Sequence, residues 1–135
     1  MTKKHLSHLS YEIIGCAITV HKALGPGLLE KIYEKCLVYE LEKKGFKVAQ
    51  QFLVPVIYDE LEVDIDLRVD LFVEDTIVLE IKAITHILPV HEAQLLTYMK
   101  LLCAPQGILI NFYTDNITKS AKFMVNEFFN VLPDD

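Results

Sequence analysis

The sequence predicts an α/β domain in which helices flank a mixed β-sheet. Three observations lead to this fold class: two stretches with helical spacing open the chain, three β-like runs follow, and one more helix precedes a last apolar strand. Because a helix that connects two strands of one sheet makes them parallel, the sheet combines an antiparallel meander with one parallel strand. The predicted order is ααβββαβ, followed by a weakly indicated C-terminal helix.

Two amphipathic helices account for the first third of the chain. One extends from Ser10, its expected N-cap, to the glycine-proline-glycine stop at 25–27. The other begins at Leu28 and ends at Lys43-Lys44-Gly45, since cationic residues followed by glycine are typical of a helix C-terminus.

Three β-like runs occupy the middle of the chain, with short acidic turns between them. The runs extend over Phe46–Tyr58, Val63–Val73 and Thr76–Ile84, and the turns are Asp59-Glu60 and Glu74-Asp75. Short turns join antiparallel neighbours, so these runs predict the meander. Helical spacing then returns over Val90–Leu102, Gln106–Tyr113 is an apolar run typical of a doubly buried strand, and Ala121–Leu132 is the weakly indicated helix.

Composition is that of a compact globular protein. We expect one domain over residues 1–135, of which 52% are hydrophobic. No apolar run approaches the ~20 residues of a membrane span, no export signal is evident, and three cysteines without a C-x-x-C pair fit a reducing compartment. We therefore expect a cytoplasmic protein that does not associate with membranes.

The net charge of −6, with Arg68 as the only arginine, disfavours tight and static binding to duplex nucleic acid. An enzyme that handles nucleic acid transiently remains compatible with this charge, because a divalent cation requires clustered carboxylates.

The strand Thr76–Ile84 contains two charged residues within its apolar run. Because side chains alternate with period two, Glu80 and Lys82 share one face, and the same alternation separates Asp70 from Val69 on the preceding strand. A hairpin between the strands would bring Asp70 close to Glu80. Two adjacent carboxylates repel each other unless a cation lies between them, and Mg²⁺ or Mn²⁺ prefers such oxygen ligands. A Glu-x-Lys pair on a strand is more often a solvated ion pair, so the strands alone do not decide.

Three motifs carry a resemblance to a known family. Asp70, nine intervening residues and Glu80-Ile81-Lys82 resemble the D-x(n)-E-x-K motif of the PD-(D/E)XK nuclease superfamily. Residues 27–33 (GLLEKIY) are similar to the motif of the GxxExxY protein family, and residues 94–98 (QLLTY) match the QxxxY motif of RecB-like members. The resemblance extends from about residue 9 to about residue 126, and it implies a restriction-endonuclease-like core, whose element order agrees with the one derived above.

The resemblance implies a role for each matching residue. Asp70 and Glu80 would be metal ligands, with the backbone carbonyl of Ile81 as a third. Glu30 would hold a metal-bound water or a second ion, and Lys82 would be the catalytic lysine.

Four further residues complete the candidate set. Gln94 and Tyr98 are four apart, so they share a helix face; they would line the cleft, and they could equally cap the polar edge of their helix. Tyr33 and His91 are candidates for binding substrate or supporting the site. Tyr33 is also typical of a packing aromatic.

The resulting hypothesis is a nuclease that depends on Mg²⁺ or Mn²⁺ and hydrolyses phosphodiester bonds by a metal-activated water. Its transient substrate would be nucleic acid, with DNA expected rather than RNA. The alternative is a non-catalytic binding or regulatory module of nuclease fold that works through a protein partner or as a homo-oligomer. A phosphate-binding loop of the nucleotide-enzyme type is not supported, because Gly25-Pro26-Gly27 lacks the required glycine spacing and lysine.

Overall fold

The computed structural model describes all of residues 1–135. It contains five helices and seven strands, which are numbered in chain order. They are α1 (Lys3–Leu24), α2 (Glu30–Lys43), β1 (Val48–Leu53), β2 (Ile57–Tyr58), β3 (Leu61–Glu62), β4 (Arg68–Val73), β5 (Ile77–Lys82), α3 (Pro89–Leu102), β6 (Gln106–Asn111), α4 (Ile117–Ser120), β7 (Lys122–Val125) and α5 (Glu127–Asn130).

Five strands form one mixed sheet in the order β1-β4-β5-β6-β7. The pair β5 and β6 is parallel, and the other three pairs are antiparallel. Helix α3 connects the parallel pair, as the crossover rule requires. The predicted α/β class, with a meander followed by one parallel strand, is confirmed, and the architecture agrees with a restriction-endonuclease-like fold.

Two apolar layers enclose this sheet. Helices α1 and α2 pack on one face, where 19 buried residues form the larger core, and α3 covers the other face with a smaller cluster of eight. The apolar faces of the helices are thereby removed from water, which is the main favourable contribution to folding. None of the helices is both long and apolar enough to cross a lipid bilayer.

Helix α1 begins earlier than its sequence pattern predicts. Thr2 is the N-cap, and its hydroxyl accepts a hydrogen bond from the His5 amide at 3.0 Å. The predicted N-cap, Ser10, is wrong: it lies buried inside the helix and accepts a hydrogen bond from the Gln106 side chain at 3.2 Å. Leu6 and Leu9 are buried and extend the apolar stripe of α1 toward the N-terminus. Their burial stabilises the helix through its polar first turns.

The first two predicted strands are shorter than their sequence runs. Pro55 follows β1 and has no N–H for a ladder, which limits the strand. Strands β2 and β3 form a separate two-stranded sheet around the predicted turn at Asp59-Glu60, which is confirmed. We call residues 57–62 the hairpin.

The C-terminal helix predicted over Ala121–Leu132 is wrong for its first half, and only the single turn α5 within that range is helical. Lys122–Val125 is instead strand β7, paired with β6, and Asn126 caps the single-turn helix α5 with its side chain. The open edge of β6 offers this segment a hydrogen-bond ladder, and that pairing outweighs a weak helical spacing.

The contact between α3 and β6 depends on a residue without a side chain. A Cβ added to Gly107 would lie 2.7 Å from the Leu95 Cδ1 and the Met99 Sδ atoms, both in fully buried residues. Gly107→Ala should therefore lower the free energy of unfolding by about 1–3 kcal/mol, because the helix must shift to admit a methyl group. Urea denaturation measures this change.

The matched control is Gly15→Ala. Gly15 lies inside α1 with open space around its Cα, so alanine should raise the free energy of unfolding by about 0.5–1 kcal/mol through helix propensity. Equal effects of the two substitutions would contradict the close approach of α3.

Candidate active site

The ladder between β4 and β5 ends at two carboxylates. Regular pairing covers Leu71 with Leu79 and the two pairs beyond it toward the turn, and it stops before Asp70 and Glu80. At these two residues, side-chain oxygens replace backbone carbonyls as acceptors. The Asp70 amide donates to Glu80 Oε2 at 3.2 Å, and the Ile81 amide donates to Asp70 Oδ2 at 2.7 Å. The strands therefore diverge at this point, and the two carboxylates lie between them.

Glu80 is buried beside a like charge. Its exposed fraction is 8%, and burial raises its pKa to about 8, with the Asp70 charge and a hydrogen bond to the Asp70 side chain as the next causes. The positive charge of Lys82 opposes this rise in pKa. Two adjoining carboxylates of this kind are stabilised by a shared proton or by a cation.

Lys82 and Tyr98 adjoin the carboxylate pair. Lys82 is half-buried at the end of β5 and forms no salt bridge of its own. Burial raises the pKa of the Tyr98 phenol, and the charges of Glu80 and Asp70 raise it further, so this hydroxyl stays protonated near neutral pH. Two hydrogen-bond donors, the ammonium of Lys82 from β5 and the phenol of Tyr98 from α3, thus lie beside the carboxylates of Asp70 and Glu80.

The donor set at this point fits a hard divalent cation. It consists of carboxylate oxygens, and Mg²⁺ commonly takes one or two protein carboxylates and completes its shell with water and substrate oxygens. No group of three histidine, cysteine or acidic side chains converges anywhere in the molecule. Asp70 and Glu80 are therefore the two side chains that could hold such an ion, with Ile81 next to Glu80 in the chain.

Glu30 does not join that pair as a third carboxylate. It is the first residue of α2, its side chain is exposed, and it lines a surface depression of about 410 Å³ together with Ala83, the residue after β5. Glu30 thus lies on the rim of the region at the end of β5.

A second glutamate of α2, Glu34, lies inside the protein. Its exposed fraction is 2%, and its Oε2 accepts a hydrogen bond from Gln50 Nε2 at 2.7 Å. Gln51 Nε2 donates to both Glu34 oxygens at 3.0 and 3.1 Å and to Asp70 Oδ1 at 3.3 Å. Sequence reasoning missed this connection, although the spacing of Glu34 from Glu30 puts both on one helix face and could have indicated it.

Three other candidates have separate locations. Tyr33 is fully buried, stacks on Phe112 at 4.4 Å between ring centroids, and donates its hydroxyl hydrogen to the Gly25 carbonyl. His91 Nδ1 accepts a hydrogen bond from the Leu88 amide at 2.9 Å and so caps α3. Both have supporting positions, whereas Gln94 is exposed on α3, one turn before Tyr98.

The largest surface cavity lies elsewhere. It measures about 770 Å³ and is lined by residues of α1, β7 and α5, and none of the candidate residues contributes to its wall. Cavity size therefore does not locate the candidate site, which is identified by its charges and hydrogen bonds.

A comparison with protein families agrees with this geometry. The model of the PD-(D/E)XK nuclease superfamily matches residues 7–123, nearly the whole chain and all of the carboxylate site. The chain belongs to the PD-(D/E)XK nuclease superfamily. Nucleases of the superfamily generally use divalent metals. No curated protein matches the chain significantly, and no solved structure does. Membership of the GxxExxY family in particular stays a prediction.

The raised pKa of Glu80 predicts how stability depends on pH in the presence of a chelator. The folded state binds the Glu80 proton more tightly than the unfolded state, in which the pKa of this carboxyl is near 4.5. The contribution of this proton to the free energy of unfolding is therefore fully present below about pH 4.5 and is lost as pH rises through about 8. The loss is on the order of a few kcal/mol. Urea unfolding of the wild type and of Glu80→Gln from pH 5 to pH 9 measures it.

The Glu80→Gln variant has no carboxyl group that ionises at this position, so its stability should rise relative to that of the wild type as pH increases. Parallel stability profiles of the two proteins would contradict a buried, repelled carboxylate at this position.

Proposed function

We propose that this protein is a divalent-metal-dependent nuclease that hydrolyses phosphodiester bonds of nucleic acid, with DNA as the expected substrate. The observation that carries the proposal is the contact between Asp70 and Glu80 where β4 and β5 diverge. Lys82 lies two residues after Glu80 on β5. Membership of the nuclease superfamily supports the same chemistry.

The carboxylate pair would hold Mg²⁺ or Mn²⁺ through Asp70 and Glu80, with the Ile81 carbonyl as a proposed third ligand. When bound, such an ion supplies a Lewis acid that polarises a phosphate group. The cation would replace the proton that otherwise relieves the repulsion between the two carboxylates.

Lys82 would act directly on the substrate. Its ammonium has no salt-bridge partner, so its three N–H donors are free to bind a phosphate oxygen or to orient the attacking water. The protonated phenol of Tyr98 would donate a further hydrogen bond from α3. Glu30 at the rim and Gln94, which is exposed on α3, would contact the substrate or the water around it.

Binding of the nucleic acid would be transient. The molecule has a net charge of −6 and a single arginine, Arg68, whose Nε donates to the Asp66 carboxylate at 2.6 Å. Counterion release from phosphates is therefore small, and affinity should fall only modestly with salt.

Cleavage assays test the nuclease proposal. With Mg²⁺ or Mn²⁺, the wild type should cleave labelled single- or double-stranded DNA or RNA, whereas Glu80→Ala and Lys82→Ala should lose about 100-fold or more of that activity. Lys100→Ala, on an exposed lysine at the end of α3, is the matched control and should keep full activity. Cleavage that persists with a chelator, or in both site variants, would refute the proposal.

A second candidate function is a binding module that acts through a protein partner. The hairpin favours it, because Ile57, Tyr58 and Leu61 are each more than 60% exposed in a separate two-stranded sheet. Four carboxylates without salt bridges surround them, at positions Asp59, Glu60, Glu62 and Asp64. Exposed apolar side chains among acidic ones suit a cationic partner surface with apolar residues of its own.

Substitution of the hairpin separates the two functions. The double variant Ile57→Ser/Tyr58→Ser should keep its fold and its nuclease activity, because neither residue reaches the core. If the protein is a binding module, the wild type should co-purify with a stoichiometric amount of a partner protein that dissociates at high salt. The double variant should lose this partner. A wild type that purifies alone, with full cleavage activity, would remove the support for the binding module.

A further inference from the structure

We propose that Gln51 is a positioning residue, which links the buried carboxylate of Glu34 to Asp70 and fixes the orientation of the Asp70 oxygens. The inference deepens the proposed nuclease function and rests on it, because that orientation matters for holding the cation. It adds two side chains, Gln51 and Glu34, that neither the sequence motifs nor the family match assigns.

The link is one amide group between two carboxylates. Gln51 Nε2 lies 3.0 and 3.1 Å from the Glu34 oxygens and 3.3 Å from Asp70 Oδ1. A side-chain amide has two N–H donors on its nitrogen, one for each neighbour, whereas its oxygen can donate to neither. The charges on both sides therefore determine which way the amide points.

Glu34 is a rigid anchor for this amide. Its side chain is almost completely buried, and Gln50 Nε2 at 2.7 Å and Lys31 Nζ at 3.5 Å hold it from two other directions. A buried carboxylate needs such donors, since an unpaired one would cost several kcal/mol, on the order of the desolvation penalty. Glu34 thus cannot move without breaking several hydrogen bonds at once.

The backbone of Gln51 is strained at this contact. Its φ is +52°, in the left-handed region that costs a residue with a Cβ roughly 1–2 kcal/mol. Adjacent residues of a regular strand point to opposite faces, yet Gln50 and Gln51 both reach Glu34. The positive φ breaks the alternation and makes this possible.

The same point interrupts the pairing of β1 with β4. Every residue of β1 has a partner on β4 except Gln51, whose register partner would be Asp70. Beyond the break Val69 packs with Phe72 in the α3 cluster, although strict alternation would put these two residues on opposite faces. Arg68 Nη1 donates to the Gln51 carbonyl at 2.9 Å and holds the strained peptide.

Asp70 is consequently fixed at both oxygens. Oδ1 accepts from Gln51 and Oδ2 accepts from the Ile81 amide at 2.7 Å. Each carboxylate oxygen has two lone pairs, so each has a second one that could accept the Glu80 proton or bind a cation. Partners that orient a ligating carboxylate typically change metal affinity by 10- to 100-fold when they are removed.

The test replaces the amide without adding strain. Gly is unstrained at positive φ, so Gln51→Gly removes the link and should leave the urea midpoint near that of the wild type. Its dissociation constant for Mn²⁺, measured by electron paramagnetic resonance, should be 10- to 100-fold higher. The Mn²⁺ concentration for half-maximal cleavage should shift by the same factor, with the maximal rate recovered at saturating Mn²⁺.

The matched control is Gln50→Ala, which removes a hydrogen bond to Glu34 and leaves the bond to Asp70 in place. It should bind Mn²⁺ within about threefold of the wild type, well short of the 10-fold effect expected of a partner of Asp70. If Gln51→Gly does not fold, Gln51→Asn replaces it, because asparagine tolerates positive φ and its shorter amide cannot span both carboxylates.

The outcomes are distinct. Wild-type affinity in the folded Gln51 variant overturns the positioning role and leaves the nuclease proposal standing. Equal weakening by the Gln50 and Gln51 substitutions also overturns it, because the effect would then come from Glu34 alone. A wild type that binds no Mn²⁺ at millimolar concentration refutes the nuclease proposal, and the positioning role with it.

Discussion

The repulsion between Asp70 and Glu80 is the constraint on which the site depends. A protein that needed only stability would not bury a carboxylate against another one, since an apolar pair of similar volume would be at least as stable. Here the ladder of β4 and β5 is interrupted to admit both side chains, and two backbone amides are diverted to bind their oxygens. A bound cation would relieve the repulsion, so the interaction that opposes folding would favour cation binding.

The rest of the fold serves to hold this pair in place. Both strands are covered by helices on each face of the sheet, and the close contact of α3 with Gly107 fixes the helix that carries Tyr98. On the other side, Glu34 of α2 reaches the site through Gln51 across the edge strand. The carboxylates therefore receive support from both layers, while Lys82 at the end of β5 stays partly exposed to solvent.

The sequence predicted what is local and periodic. Alternation along β5 correctly predicted that Lys82 is close enough to Glu80 for their charges to interact, and a short turn sufficed to bring Asp70 to Glu80. Strand β7 could not be predicted in this way, because its pairing with β6 depends on a distant edge that no local pattern records. The Glu34–Gln51 link was missed for a related reason: it requires a positive φ at Gln51, which intrinsic propensities disfavour and only the surrounding contacts impose.

The most direct test of the carboxylate site is a crystal structure with Mn²⁺, in which anomalous scattering locates the ion. We expect one peak within about 2.5 Å of oxygens of both Asp70 and Glu80, the range of metal–oxygen bonds for hard divalent cations. Crystals at millimolar Mn²⁺ that keep these two carboxylates in contact, with no peak between them, would contradict it.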